Sequence, residues 1–170
     1  MHLLHLLRHA KSDRDEGVED HERKLSRRGR EAARRVGESL PSAFGALDLV
    51  LCSTSVRTRE TAELVLAHFA PPPPLRFEDA LYLAGRAALM RRLSQLDESL
   101  GAVMVIGHNP GLHQLALALA AADSPRYRAL SSGKFPTTAR ASFAIRSPWA
   151  NIARSRHPLT GYVTPKSLQD

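Results

Sequence analysis

The chain has 170 residues, 43% of them hydrophobic and 24% charged, which predicts one soluble domain rather than two. No apolar run approaches the ~18 residues that a membrane helix needs, the N-terminal apolar stretch lacks a signal cleavage site, and the single Cys52 excludes an internal disulfide. We therefore expect a cytoplasmic protein with no membrane partner. Its net charge of +7 favours an anionic binding partner.

Short apolar runs alternate along the chain with amphipathic helical patterns. Strands are predicted over residues 3–7, 48–52, 75–77, 102–106 and 141–145. Helices are predicted over residues 26–40, with Ser26 as N-cap, over 56–69 and 86–96, and from the end of the fourth strand to about residue 119. The charged segment 13–22 is predicted to be a surface loop, 71–74 an extended proline spacer, and the proline-containing tail an edge strand and loop. This alternation predicts a single α/β domain over 1–170, a three-layer sandwich with helices on both faces of a mainly parallel sheet.

Polar clusters follow three of the predicted strands. The first strand ends in Arg8 and His9, the second is followed by Ser53 and Arg57, and the fourth ends in His108 and Asn109. In open α/β sheets, ligands bind outside the carboxyl ends of the strands, so these side chains are expected to converge. Guanidinium groups form bidentate hydrogen bonds with phosphate oxygens. An imidazole can attack phosphorus to form a covalent phosphohistidine. The sequence therefore predicts a phosphoryl-transfer site.

The same three clusters resemble the motifs of the histidine phosphatase superfamily. Leu6-Leu7-Arg8-His9-Ala10 looks like its Arg-His-Gly signature, Ser53-x3-Arg57-x3-Thr61-Ala62 resembles its second motif, and Gly107-His108-Asn109 resembles its third. The Arg-His-Ala-Lys-Ser variant and the run Asp20-x2-Arg23-x-Leu25-x3-Gly29 look most like the SixA-like phosphohistidine phosphatases. This resemblance implies a phosphoglycerate-mutase-like fold and cofactor-independent hydrolysis of phosphohistidine on signalling proteins.

The resemblance also implies a role for each matched residue. His9 would be the nucleophile, and Arg8, Arg57 and His108 would form the phosphate pocket, with no metal. Ser12 and Asn109 would add hydrogen bonds to the substrate.

The chain departs from the family pattern in ways that bear on the chemistry. Ala10 replaces the usual glycine, so its backbone must avoid positive φ. Asp15 stands where larger members have an asparagine, and is expected to point away from the phosphate. Larger members carry a general acid between the second and third motifs, and the candidates here are Glu78 and Asp79. Asp79 has the better register because Tyr82 follows it by three residues, although the site could also lack an acid altogether.

The same residues argue against several other classes of function. Cys52-x4-Arg57 is one residue short of the cysteine phosphatase loop, so Cys52 is expected to be a buried strand residue. The pairs His5/His9 and His108/His113 have no flanking carboxylate at ligand spacing, which argues against a metal site. A nucleic-acid-binding module is disfavoured by 5% aromatic residues and the lack of a recognisable motif. A phosphatase for small phosphate esters remains the main alternative to phosphohistidine, and the oligomeric state is not predicted.

Overall fold

Six strands form one mixed β-sheet in the computed structural model, which describes residues 1–168. The strands are β1 (His2–Arg8), β2 (Leu49–Ser53), β3 (Leu75–Glu78), β4 (Ala102–Gly107), β5 (Arg140–Ile145) and β6 (Leu159–Val163). Their order is β3-β2-β4-β1-β5-β6. The first four pair in parallel, whereas β5 and β6 are antiparallel additions at one side. The mainly parallel sheet is therefore confirmed, and the tail supplies an edge strand.

Residues 1–168 contain six α-helices and three 3₁₀ segments, all of which lie between strands except α6, which follows β6. The helices are α1 (Arg27–Phe44), α2 (Val56–Leu66), α3 (Arg86–Ser94), α4 (Gly111–Leu119), α5 (Tyr127–Ser132) and α6 (Pro165–Leu168). The 3₁₀ segments are Asp20–Glu22, Asp79–Leu81 and Trp149–Arg154. Helix α1 begins after the expected cap, since the Ser26 hydroxyl accepts a hydrogen bond from the Gly29 amide at 3.0 Å. Five of these elements, α5, α6 and the three 3₁₀ segments, were not predicted.

Helices cover both faces of the sheet and enclose a separate apolar core on each. Every residue of β4 is buried, as expected for a central strand. Val103 and Val105 pack into the core beneath α3 and α4, while Met104 and Ile106 pack into the core beneath α1 and α2. The three-layer α/β architecture is thus confirmed. Among residues 1–168, no helix is long and apolar enough to cross a membrane.

Two glycines allow the loops at the carboxyl edge of the sheet to lie directly against neighbouring backbone. A Cβ atom added to Gly29, in the first turn of α1, would stand 2.0 Å from the carbonyl oxygen of Lys11. A Cβ atom added to Gly111, at the start of α4, would stand 1.9 Å from the carbonyl oxygen of Ala84. Because real Cβ atoms do not approach oxygen so closely, only glycine permits either contact. Both contacts fix loops that border the candidate site.

Candidate active site

The carboxyl ends of β1, β2 and β4 surround a cavity of about 240 Å³. Its lining includes five cationic side chains: Arg8, Lys11, Arg14, Arg23 and Arg57. His9, Ser12, His108, Asn109, Thr137 and Leu83 complete the lining. Within the described part of the chain, no carboxylate lines this cavity. A concave site with this charge is suited to a phosphoryl group.

His9 lines this cavity, and one of its ring nitrogens is already hydrogen-bonded. The residue follows β1 directly and is only 7% exposed. Its Nδ1 lies 2.7 Å from the carbonyl oxygen of Ala10, and because a carbonyl can only accept, Nδ1 must carry the proton. Burial, with a smaller contribution from the neighbouring Arg57 and Arg8, lowers the pKa of His9 to about 4, although the bond to the Ala10 carbonyl acts in the opposite direction. At neutral pH, therefore, Nε2 carries a free lone pair.

His108 forms the opposite wall, with its ring centroid 5.4 Å from that of His9. Its Nδ1 lies 3.4 Å from Nη2 of Arg57, and because guanidinium only donates, this nitrogen is the acceptor. Its Nε2 then donates to the Ser53 hydroxyl, 2.8 Å away. Burial, His9 and Arg57 together lower the pKa of His108 to about 3. Both histidines are consequently neutral before substrate binds.

Arg57 is a buried cation in the first turn of α2. A cation at a helix N-terminus is electrostatically disfavoured unless an anion compensates it, and Asp20 supplies that anion. Nη2 of Arg57 donates to the Asp20 carboxylate at 3.0 Å, and Nη1 donates to the Asp20 carbonyl at 2.7 Å. Asp20 lies in the segment predicted to be a surface loop, where it begins the 3₁₀ segment Asp20–Glu22. The sequence did not predict the contact between Asp20 and Arg57. The only sequence feature that pointed to order around Asp20 was its i,i+3 spacing to Arg23, with which it forms an ion pair.

The carbonyl oxygen of Phe135 anchors two of the predicted site residues. Nη1 of Arg8 donates to it at 3.2 Å, and the side-chain amide of Asn109 donates at 2.7 Å. Two buried atoms, Nε of Arg8 and Oδ1 of Asn109, have no hydrogen-bond partner among the described residues. Ser12 lines the cavity, where its hydroxyl accepts a hydrogen bond from Arg23.

The two candidate general acids are not in the cavity. The Glu78 carboxylate accepts two hydrogen bonds from Arg92, at 2.8 and 3.0 Å, and this contact lowers its pKa. Asp79 is exposed and begins the 3₁₀ segment Asp79–Leu81. That turn instead brings Tyr82 to the site, where its hydroxyl bonds Asp20 and its ring meets His108 edge-on at 5.4 Å. The structure thus does not support the expectation that Asp79 protonates the leaving group.

Two departures from the family pattern, at Ala10 and Asp15, have the outcomes expected from the sequence. Among the described residues, Leu83 and Thr138 are the non-glycine residues with positive φ, so Ala10 avoids that region as expected. Asp15 is exposed and does not line the cavity.

The alternative sites examined in the sequence find no support in the structure. Cys52 is buried in β2, and burial raises the pKa of its thiol to about 12. His5 stacks on Phe44 and bonds Ser142, while His113 bonds the carbonyl of Leu130. In residues 1–168 there is no group of three or more histidine, cysteine or acidic side chains placed to hold a metal ion.

Comparison with known proteins identifies the family. The profile of the histidine phosphatase superfamily (branch 1) matches residues 4–82. An uncharacterized protein of Mycobacterium tuberculosis is 32% identical over 162 residues, which cover 94% of this chain and 100% of the relative. The solved SixA structure from Nakamurella multipartitia is 26% identical, with a TM-score of 0.84 and 96% of each chain covered.

The fold is also shared with more distant phosphatases. An α-ribazole-5′-P phosphatase structure from Escherichia coli is 20% identical, with a TM-score of 0.65 and 94% of this chain and 95% of that chain covered. At that identity the likeness concerns the fold alone. The chain therefore belongs to the histidine phosphatase superfamily, and its structure is that of a SixA-like phosphatase.

Proposed function

We propose that this phosphatase hydrolyses phosphohistidine on a partner protein, through a covalent intermediate on His9. The observation that carries the proposal is the cavity itself, which presents His9 among five cations and holds no carboxylate among the described residues. Such a site can bind and transfer a phosphoryl group but has no evident proton donor for a poor leaving group.

In the first step, Nε2 of His9 attacks the phosphorus of the bound phosphohistidine. A new N–P bond forms as the substrate's N–P bond breaks. The leaving imidazole, already protonated by solvent on its other ring nitrogen, departs neutral. Charge spreads over the equatorial phosphoryl oxygens in the transition state, where Arg8 and Arg57 stabilise it. The bond from Nδ1 of His9 to the Ala10 carbonyl keeps the ring oriented throughout.

In the second step, water attacks the phosphorus of phosphorylated His9. The bond to Nε2 breaks, orthophosphate forms with the oxygen and protons of that water, and His9 returns to its neutral state. The leaving group is again an imidazole, so this step also proceeds without a strong general acid.

The positions of the acidic residues favour a phosphoramidate over an alkyl ester. An alkoxide is a poor leaving group and needs a well-placed acid. Glu78 is occupied by Arg92, and Asp79 lies outside the cavity. The bond from Tyr82, with those from Arg23 and Arg57, holds the pKa of the Asp20 carboxyl well below its usual range, so Asp20 stays ionised.

A second, wider cavity supports a protein substrate. It measures about 580 Å³ and shares Arg8, Lys11, Asn109 and Thr137 with the first. Lys134, His113 and Phe135 extend its lining, and none of the lining residues within 1–168 is acidic. The space beside His9 is therefore open and basic, and it would accept an acidic polypeptide surface around a phosphohistidine.

The proposal is tested by comparing kcat/KM for a phosphohistidine protein, a sugar phosphate and an aryl phosphate with a good leaving group. We expect the phosphohistidine protein to be cleaved fastest, the aryl ester weakly and the sugar phosphate hardly at all. The competing function, a phosphatase for small esters, is consistent with the fold shared with the α-ribazole-5′-P phosphatase. If the sugar phosphate were the best substrate and Asp79→Asn abolished its cleavage, that function would replace the one proposed.

A further inference from the structure

Asp20 connects three side chains, two of which, Arg23 and Arg57, line the cavity that contains His9. Its Oδ2 accepts from Nη2 of Arg57 at 3.0 Å and from the Tyr82 hydroxyl, and its Oδ1 accepts from Nη1 of Arg23 at 2.9 Å. Its backbone carbonyl accepts a further bond from Nη1 of Arg57, at 2.7 Å. One residue thus contacts both terminal nitrogens of Arg57.

These contacts link residues that line the cavity to one that does not. Arg23 and Arg57 both line the cavity, whereas Asp20 does not. Asp20 therefore bonds both arginines without itself lining the space available to a phosphoryl group. This position distinguishes it from an internal competitor for the substrate.

The contact with Arg57 differs from an ordinary surface ion pair. The side chain of Asp20 is 46% exposed, but that of Arg57 is only 4% exposed, and a buried charge without a counter-charge is costly. A guanidinium has five N–H donors. Two of them bind Asp20 and one points to His108, which leaves two for a ligand and fixes the direction in which they point.

We infer that Asp20 is a positioning residue that orients Arg57 toward the phosphoryl group. The inference rests on the proposed function in one respect, namely that Arg57 binds that group. Arg23 and Tyr82 hold the Asp20 carboxylate in place, so the charged loop and the turn after β3 both support Arg57. The ligand affected is any tetrahedral oxyanion, whichever phosphorylated molecule is the substrate.

The test is the affinity of the protein for tungstate, measured by titration calorimetry, together with kcat/KM for an aryl phosphate. We expect Asp20→Ala to weaken both about 10- to 100-fold, the scale of a lost hydrogen bond to a charged group. Asp20→Asn, which keeps the shape but not the charge, should give a smaller loss. Glu19→Ala is the matched control, because it removes the same charge from the neighbouring residue, and it should behave as the wild type.

A double-mutant cycle separates positioning from a merely structural role. If Asp20 acts through Arg57, adding Asp20→Ala to Arg57→Ala should cost only about threefold more, because contacting residues are not additive. An equal loss in both backgrounds would overturn the inference, as would wild-type or tighter tungstate binding by Asp20→Ala. If Asp20→Ala lowers the melting temperature, the same double-mutant cycle is measured with Asp20→Asn instead.

Failure of this inference is distinguishable from failure of the proposed function. Tungstate binding does not depend on the identity of the substrate, so a preference for sugar phosphate would leave the Asp20 result intact. If Arg57→Ala itself bound tungstate as the wild type does, the proposed phosphate pocket would be wrong.

Discussion

The Nδ1 atom of His9 lies 2.7 Å from the carbonyl oxygen of Ala10, the next residue in the chain. This contact assigns the proton to Nδ1 and leaves Nε2 as the nitrogen able to attack phosphorus. The backbone of the strand-end turn thereby selects the reactive tautomer, with no carboxylate needed to orient the ring.

Replacing His9 with alanine should abolish turnover while leaving the fold intact. The covalent route disappears with the nucleophile, so we expect kcat to fall at least about 1000-fold. A labelled substrate, quenched without acid, should trap an acid-labile and base-stable phosphoenzyme in the wild type but not in His9→Ala. Substantial activity in a variant with a normal melting curve would falsify the assignment of His9.

Arg57→Ala and Cys52→Ser should have opposite consequences. Removing one charge-stabilising donor usually costs about 2–3 kcal/mol in kcat/KM, and we expect at least that for Arg57→Ala. Cys52→Ser should retain most activity, because the thiol is buried in β2 and its pKa is raised to about 12. The reverse pattern would indicate a cysteine phosphatase mechanism.

Chelating agents should leave the activity unchanged, because cationic side chains surround the cavity and can carry the phosphate charge. Vanadate and tungstate should inhibit, since they mimic the trigonal-bipyramidal transition state. The measurement is the initial rate after exhaustive chelation, with and without added zinc or manganese. Activity that is lost on chelation and restored by a metal would mean that the pocket has been assigned wrongly.

The protein should become less stable as the pH falls from about 6.5 toward 4. Burial lowers the pKa of His5 and of His9 to about 4 and that of His108 to about 3, whereas the unfolded chain titrates near 6.5. In that window the unfolded state binds more protons, so the free energy of unfolding rises with pH, by at most ~1.4 kcal/mol per pH unit for each histidine.

Urea midpoints between pH 7 and 5 measure this effect. His5 lies outside the cavity, so His5→Gln leaves every cavity residue in place. It should reduce the slope of the free energy of unfolding against pH by the equivalent of about one proton. A midpoint independent of pH, or an unchanged slope in His5→Gln, would contradict the assignment of buried neutral histidines.

Gly29→Ala should disturb the catalytic loop from a position outside the cavity. The added Cβ would stand 2.0 Å from the Lys11 carbonyl oxygen, which is backbone and can yield only by moving the loop that carries His9. We expect a loss of about 1–3 kcal/mol in stability and a lower kcat. Gly85→Ala is the matched control, because no atom lies within 4 Å of its added Cβ; equal behaviour of the two variants would rule out the close contact.

The strand ends could be read from the sequence because each apolar run stops abruptly at a polar cluster. The run Ala102–Gly107 is wholly buried and ends next to His108, and parallel pairing of β1, β2 and β4 brings His108 to the same edge as His9 and Arg57. A continuous apolar run of this length is typical of a parallel strand that is buried on both faces, so the strand and its end can be recognised without any periodicity.

The contacts of the charged loop could not be read in the same way. Asp20 lies among many charged residues in an aperiodic segment, and its contact with Arg57 spans 37 positions of sequence. The prediction for Asp79 depended on the register of Tyr82, but the 3₁₀ turn presents Tyr82 and leaves Asp79 exposed. Helix α5 has six residues, too few for a periodic apolar stripe to be recognised.

In the proposed mechanism, the five cations that line the cavity also affect the release of the product. Orthophosphate carries the same oxygens as the transferring phosphoryl group, and contacts that bind both equally do not accelerate the chemical step. The product therefore has to dissociate from the same cationic side chains that bind the substrate. Orthophosphate should be a competitive inhibitor, and the rate of dephosphorylation in the cell should fall as the concentration of free phosphate rises.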